Sequence, residues 1–332
     1  LISKKIFIFL NSILKLKLLF LFIGTTTNFF SQIDSSVIKT VPENYFRLKY
    51  ENDFFRATDR YYTQGISASL IHPIIKHSPL SKALIKLGNT TTNYYSLQAQ
   101  QDCFTPKSIR IDTIMFGERP YAGTFYISHL LSSLSKKNKL LLQTQIDFGV
   151  IGNCARCEEE QKAIHKALDN IAPLSWEYQL ANDLIINYRA KLEKGFVSRK
   201  YFELMTNANL KAGTLNTDIG TGVNMRFGFF DPYFNNLGLS KDPSSRKFKI
   251  YGAIQANLKL VGYNAALQGG LFSKDIYVID ANNVARFVFE GTTAITFAYK
   301  TFSLTYSLTY LTREYQTGVD HGWGGIFITK AF

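Results

Sequence analysis

The sequence predicts an all-β fold, a transmembrane antiparallel β-barrel of about twelve strands with one short α-helix in an extracellular loop. Three observations point there. Stretches of roughly ten residues alternate apolar and polar side chains with period two. Aromatic content is 14%, with 27 Phe and 19 Tyr, while charged residues make up only 19%. That balance suits aromatic girdles at two lipid interfaces better than a soluble enzyme. The 332-residue chain ends on Phe332 after Gly325-Ile326-Phe327-Ile328-Thr329-Lys330-Ala331, an alternating strand closed by an aromatic residue.

Residues 1–31 read as a secretory signal peptide. Lys4, Lys5, Lys15 and Lys17 precede an apolar core, Leu18 to Gly24, and a small polar stretch reaches Ser31. Lys15 and Lys17 split the apolar run, which leaves it short of the ~20 residues of a spanning helix. Residues 32–332 are then the barrel domain. Removing the leader takes away four Lys and no acid, so the charge falls to 13 − 4 = +9. An exported basic chain meets anionic lipid head groups rather than nucleic acid.

The strands follow in order. Tyr45, Arg47, Lys49 and Glu51 alternate with Phe46, Leu48 and Tyr50; Ser67 and Ser69 alternate with Ile66, Ala68 and Leu70. Gln143, Gln145 and Asp147 alternate with Leu142, Ile146 and Phe148, with Thr144 as a polar intruder. Asn187, Arg189 and Lys191 alternate with Ile186, Tyr188, Ala190 and Leu192. Further strands are expected near 203–213, 215–229, 248–261, 285–298, 301–313 and 323–332. In a barrel the polar set faces inward and the apolar set meets lipid. In a soluble sandwich the polar set would meet water. Whether the polar interior is packed or open is not decided by the pattern.

Glu158 to Asp169 breaks it. This stretch lacks Gly and Pro, opens on three acids, and places Gln161, His165 and Asp169 on one helical face. It lies between two strands, so it belongs to a long loop. His165 is then a general-base candidate, or simply a solvated helix residue. Asn52 falls in phase with Leu48 and Tyr50, on the lipid side. Asp53, Asp59, Thr63 and nearby carbonyls are hard oxygen donors that suit Ca²⁺; Asx-rich turns look the same without metal. Cys154 and Cys157 are spaced for a local disulfide, or remain thiols; no second ligand pair completes a zinc site.

Taken together, several short motifs resemble the outer-membrane lipid A 3'-O-deacylase family. They are Glu51-Asn52-Asp53-Phe54-Phe55, Thr58-Asp59-Arg60-Tyr61-Tyr62-Thr63-Gln64-Gly65, Gln101-Asp102-Cys103-Phe104-Thr105-Pro106, Gly117-Glu118-Arg119-Pro120-Tyr121-Ala122-Gly123, the turn Gly149 to Gly152, the Gln161/His165 pair and Ser175 to Leu180. The resemblance spans residues 51 to about 185 and implies a twelve-stranded barrel with its site between the outer wall and a loop helix. It implies an esterase that acts on lipid A, or lipopolysaccharide, in the outer leaflet. His165 would activate water. Asp53, Thr63 and a main-chain oxygen near Arg60 would bind Ca²⁺. Asn52 would orient the site or polarise the carbonyl, Lys107 would hold the oxyanion or a lipid A phosphate, and Gln161 would sit beside His165. Ile171 stands where the family can carry a carboxylate about two turns after the histidine, and the Cys154/Cys157 pair is not a family feature.

No Gly-x-Ser-x-Gly elbow offers a covalent nucleophile. Two other classes compete: a barrel that binds or transports without catalysis, and a related outer-membrane phospholipase or acyltransferase. A closed barrel has no edge to pair, so a monomer is expected.

Overall fold

The computed structural model describes residues 44–58, 60–88, 91–236 and 246–332. The expected leader, its cleavage point and Asp59 lie outside the described residues. Twelve antiparallel strands form one closed barrel. They are β1 (Tyr45–Asn52), β2 (Tyr61–Ile71), β3 (Thr92–Thr105), β4 (Ala122–Ser135), β5 (Leu140–Ile151) and β6 (Asp183–Arg199). They continue as β7 (Phe202–Gly213), β8 (Asn216–Phe229), β9 (Phe248–Asn264), β10 (Phe287–Tyr299), β11 (Phe302–Leu311) and β12 (His321–Ala331). Each strand pairs with its sequence neighbour. β1 closes the ring on β12, from Tyr45 opposite Ala331 to Asn52 opposite Gly324. The helix α1 spans Cys157–Ala167. Among the described residues no helix is long and apolar enough to cross a membrane; the strands make the span.

The alternation reads out as expected. Phe46, Phe125, Ile127, Phe148, Ile186 and Leu192 are exposed on the outer face, while Lys49, Glu51, Gln145, Asp147, Arg189 and Lys191 are buried inside. The inward polar side chains do not line an open pore. They pair with one another: Lys49 with Glu51 at 2.5 Å, Arg189 with Asp147 at 2.6 Å, Lys191 with Glu193 at 2.8 Å and Arg226 with Glu203 at 2.9 Å. Buried charges are tolerated because each has an opposite charge or a hydrogen bond close by.

Both ends are stoppered by connections that fold inward. At the end carrying the described termini, Tyr233 and Phe234 pack on Tyr94, Leu134, Leu141 and Met205. The Tyr233 hydroxyl donates to Glu193 at 2.7 Å, and the Arg226 guanidinium faces the Phe230 and Tyr251 rings at 4.5 Å each. At the other end, the 106–121 connection folds over the mouth. Arg119 pairs with Glu314 at 3.1 Å and stacks 4.5 Å from the Phe104 ring. Glu118 accepts from the Tyr315 hydroxyl, and the Gly117 N–H donates to the Tyr277 hydroxyl at 2.7 Å.

One interior pair tests this packing. Asp147→Ala strands the Arg189 charge and the Ser128 hydroxyl, which donates to Asp147 at 2.7 Å. The expected loss is about 3–5 kcal/mol, read as a lower midpoint in denaturant unfolding of the detergent-folded barrel.

Candidate functional site

A polar patch lies on the outer wall, where lipid would otherwise sit. Residues opposite each other in an antiparallel ladder share a face. Asn52 lies opposite Gln64, Gln64 opposite Cys103, and Cys103 opposite Gly123. One row deeper, Tyr50 lies opposite Ile66 and Ile66 opposite Gln101. Asn52, Gln64 and Gln101 therefore point outward, as expected for Asn52. Amides facing hydrocarbon without partners are costly. The 152–182 connection answers by laying α1 over them.

α1 forms where the helix formers predict it, with Glu158, Glu159 and Glu160 at its positive end. Its buried face carries Cys157, Gln161 and His165, one turn apart. The stripe thus runs back to Cys157 and not forward to Asp169, which lies beyond the helix, exposed and with φ 52°. Cys157 is disulfide-bonded to Cys103, 54 residues earlier, with Cα atoms 5.6 Å apart. This corrects the expectation for the C-x-x-C pair: Cys154 is a free, exposed thiol, and the bond ties the helix to the wall. Spacing could not reveal it, because the partner is set by the register of β3. Gly123 makes room for the bond. A Cβ there would sit 2.9 Å from Cys157 Sγ and 3.0 Å from Ala155 Cβ.

His165 is buried against the wall side of α1. Its Nδ1 lies 2.5 Å from the Ile171 carbonyl oxygen. A carbonyl only accepts, so Nδ1 carries the hydrogen and the basic lone pair of the neutral ring is on Nε2. Ile171 thus serves through its main chain, with no signal in its side chain. One turn earlier, Gln161 Oε1 accepts from Trp176 Nε1 at 2.8 Å, while its buried Nε2 has no hydrogen-bond partner among the described residues. Trp176 stacks 4.6 Å from Tyr121.

The rim beside the patch is built by a sharp reversal after β1. Asn52 Oδ1 caps the turn by accepting from Phe54 N at 2.7 Å. Ala57 and Tyr61 take positive φ, 55° and 66°, which brings Arg60 N to Asp53 Oδ2 at 2.5 Å. Arg60 meets Asp53 through its N–H. Asp53 is buried. Thr63 is the extra residue of a bulge between Tyr62 and Gln64, a device that re-aims a side chain; its Oγ1 lies 3.4 Å from Thr105 Oγ1. Lys107 is exposed in the 106–121 connection with its charge near Glu118. No three His, Cys, Asp or Glu converge on a metal position among the described residues.

Glu160 escaped the sequence reading. It faces the wall and is hydrogen-bonded by Gln64 and Gln101; Gln101 also donates to the Ala155 carbonyl at 2.7 Å. Extending the 66–70 alternation back to Gln64 would have exposed an outward amide that needs such a partner. Burial pushes the Glu160 carboxyl above its usual range, and the two amides partly offset this.

A closed antiparallel barrel with an apolar outer face, and a helix clamped over the polar patch on it, defines the class of outer-membrane β-barrel proteins. The sequence profile of the LpxR outer membrane protein family matches residues 18–332, and the chain belongs to that family. The fold is that of LpxR from Salmonella typhimurium, with a TM-score of 0.70 at 20% identity over 87% of this chain and 100% of that one. The β domain of the Bordetella autotransporter BrkA overlaps at TM-score 0.43 and 9% identity, over 87% of this chain and 99% of that one. An outer-membrane channel from Pseudomonas putida overlaps at 0.44 and 7% identity, over 92% and 100%. No curated protein sequence matches.

Two outcomes follow. Cys103→Ser with Cys157→Ser removes a cross-link worth about 4 kcal/mol by loop entropy; proteolysis at Lys162 and Lys166 should quicken while the barrel stays folded. Glu160, raised when docked, favours docking most below the ordinary carboxylate pKa and loses that contribution as pH climbs through its raised value. Hydrogen exchange of α1, corrected for its intrinsic pH dependence, should speed up over that interval, and Glu160→Gln should flatten the response.

Proposed function

We propose that this chain is an esterase of the outer membrane that hydrolyses the 3'-linked acyloxyacyl chain of lipid A. The observation that carries the reading is His165, held by the Ile171 carbonyl between α1 and a polar outer wall. Family membership supports the substrate class.

Nε2 of His165 takes a proton from water, and the resulting hydroxide attacks the ester carbonyl. The tetrahedral adduct collapses, the carbonyl–oxygen bond to the sugar breaks, and the imidazolium returns its proton to the 3'-oxygen. The products are a free acyloxyacyl acid and a 3'-hydroxyl. Atoms balance with water as the only co-reactant. Gln161, fixed by Trp176, holds the helix face on which the base stands. Asn52, committed through Oδ1 to the turn and hydrogen-bonded to the Tyr50 hydroxyl, orients the rim and would help polarise the substrate carbonyl. Exposed Lys107 would hold a lipid A phosphate or the oxyanion.

The donor set fits Ca²⁺. Asp53, Thr63 and main-chain oxygens near Arg60 are hard oxygens at one rim, and the nearby Cys103 and Cys157 sulfurs are spent in a disulfide. Bound there, Ca²⁺ would supply Lewis-acid stabilisation of the oxyanion. Transport through the barrel is disfavoured by the ion-paired interior. The closed ring supports a monomer, which a detergent-corrected mass of one chain would bear out.

The test is mass spectrometry of lipid A after incubation with detergent-solubilised protein, in Ca²⁺ and in EDTA. Loss of one acyloxyacyl unit is expected in Ca²⁺ alone. His165→Ala should slow it by about 10²–10⁴-fold. Unchanged lipid A with cleaved phospholipid would instead assign a phospholipase.

A further inference from the structure

The connection from β2 to β3, at the end carrying the described termini, does not turn straight back. Its described residues, 72–88, climb the outside of the wall. Leu84 is buried against Leu131 and Ile146, with Tyr95 and Tyr188 beside them. All four wall residues face outward, since Tyr95 lies opposite Leu131, Ile146 opposite Tyr188, and Ile146 opposite His129. His129 lies six residues inside the end of β4 (135 − 129), and Ile146 six inside the start of β5 (146 − 140). At ~3.3 Å per residue and the usual strand tilt, that is about 15 Å up the wall. This is surface that the rest of the barrel gives to lipid.

Irregular backbone at such depth is tolerated only where protein satisfies its polar groups. The wall supplies the partners. Ser81 Oγ lies 2.8 Å from His129 Nε2, and Leu87 N donates to Ser133 Oγ at 3.0 Å. Thr144 Oγ1 donates to the Ile85 carbonyl at 2.9 Å. The Tyr188 hydroxyl accepts from Ile85 N at 3.2 Å and donates to the Ala83 carbonyl at 3.3 Å. Thr144, which interrupts the alternation of β5, is thereby explained. These polar residues on a lipid-facing wall serve the docked segment.

The other face of the segment has no partner among the described residues. It exposes Ile74 and Ile85, at 67% and 60%, together with Leu80. Lys76, Lys82 and Lys86 are exposed among them, and the connection holds no Asp or Glu. Apolar tips between cations, on a wall continuous with the lipid band, complement one surface: apolar chains under phosphate head groups.

We propose that residues 72–88 are a membrane-embedded binding site for anionic phospholipid, in the leaflet at the barrel end that carries the termini. Ile74, Leu80 and Ile85 enter the acyl region, and Lys76, Lys82 and Lys86 meet the phosphates. This goes beyond ester hydrolysis and does not rest on it.

A Leu80→Trp reporter tests it in the full chain, because the two native tryptophans, Trp176 and Trp323, are buried at 0% and 4%. The protein is reconstituted in bilayers doped with brominated phosphatidylglycerol or brominated phosphatidylcholine. Quenching by the anionic lipid should exceed that by the zwitterionic lipid about fivefold at low mole fraction. Adding Lys76→Gln, Lys82→Gln and Lys86→Gln should bring the two lipids level, with heat-modifiable gel migration showing the barrel still folded. Equal quenching in the parent reporter overturns the head-group selectivity. Absence of quenching by either lipid places this face in water or against a protein partner and overturns the proposal entirely.

Discussion

Hydrocarbon is a solvent that offers no hydrogen bond, and every unusual feature of this barrel answers to that fact. A strand that faces lipid with apolar side chains needs nothing more. A strand that shows Gln64, Gln101 or Asn52 there needs protein above it. α1 is that protein on one side of the wall, and residues 72–88 are the same solution on another. In both places a polar outer row and a covering segment occur together, and neither would be stable alone.

The covering helix has to be held as well as paired. Its buried face is short, three residues one turn apart, and so short a contact would leave His165 loosely placed. The Cys103–Cys157 bond at the first turn and the Ile171 carbonyl beyond the last fix the two ends. Gly123, the last residue of the Gly117-to-Gly123 motif, is a seat for the bond and lets the helix approach the wall. The remainder of that motif closes the mouth through Glu118 and Arg119. Its role is architectural at both points.

The barrel, its strand number and the inward and outward faces were legible because period-two alternation maps directly onto the pleat. So was α1, from helix formers between two strands. The outward position of Asn52 followed from phase alone. Three things were not legible. Cys157 pairs with Cys103 because of strand register, which local spacing does not encode. The Ile171 carbonyl orients His165 through a main-chain atom common to all residues. Glu160 was hidden because its importance comes from Gln64 and Gln101 on other strands. The resemblance of short motifs brought the site residues together. Asp53, Arg60 and Thr63 lie on the reversal from β1 into β2, and Lys107 on the 106–121 connection.

The ion-paired interior turns this molecule from a pipe into a post. Its axis is filled by buried, paired side chains, and its polar patch lies on its circumference. Whatever the outer patch handles must approach sideways, by diffusion in the plane of the leaflet. Supply is then a surface density, set by how crowded that leaflet is, and dilution of the surrounding water leaves it unchanged. Encounter is a two-dimensional search around a rotating cylinder, and only the arc from β1 to β4 presents the patch to an arriving neighbour.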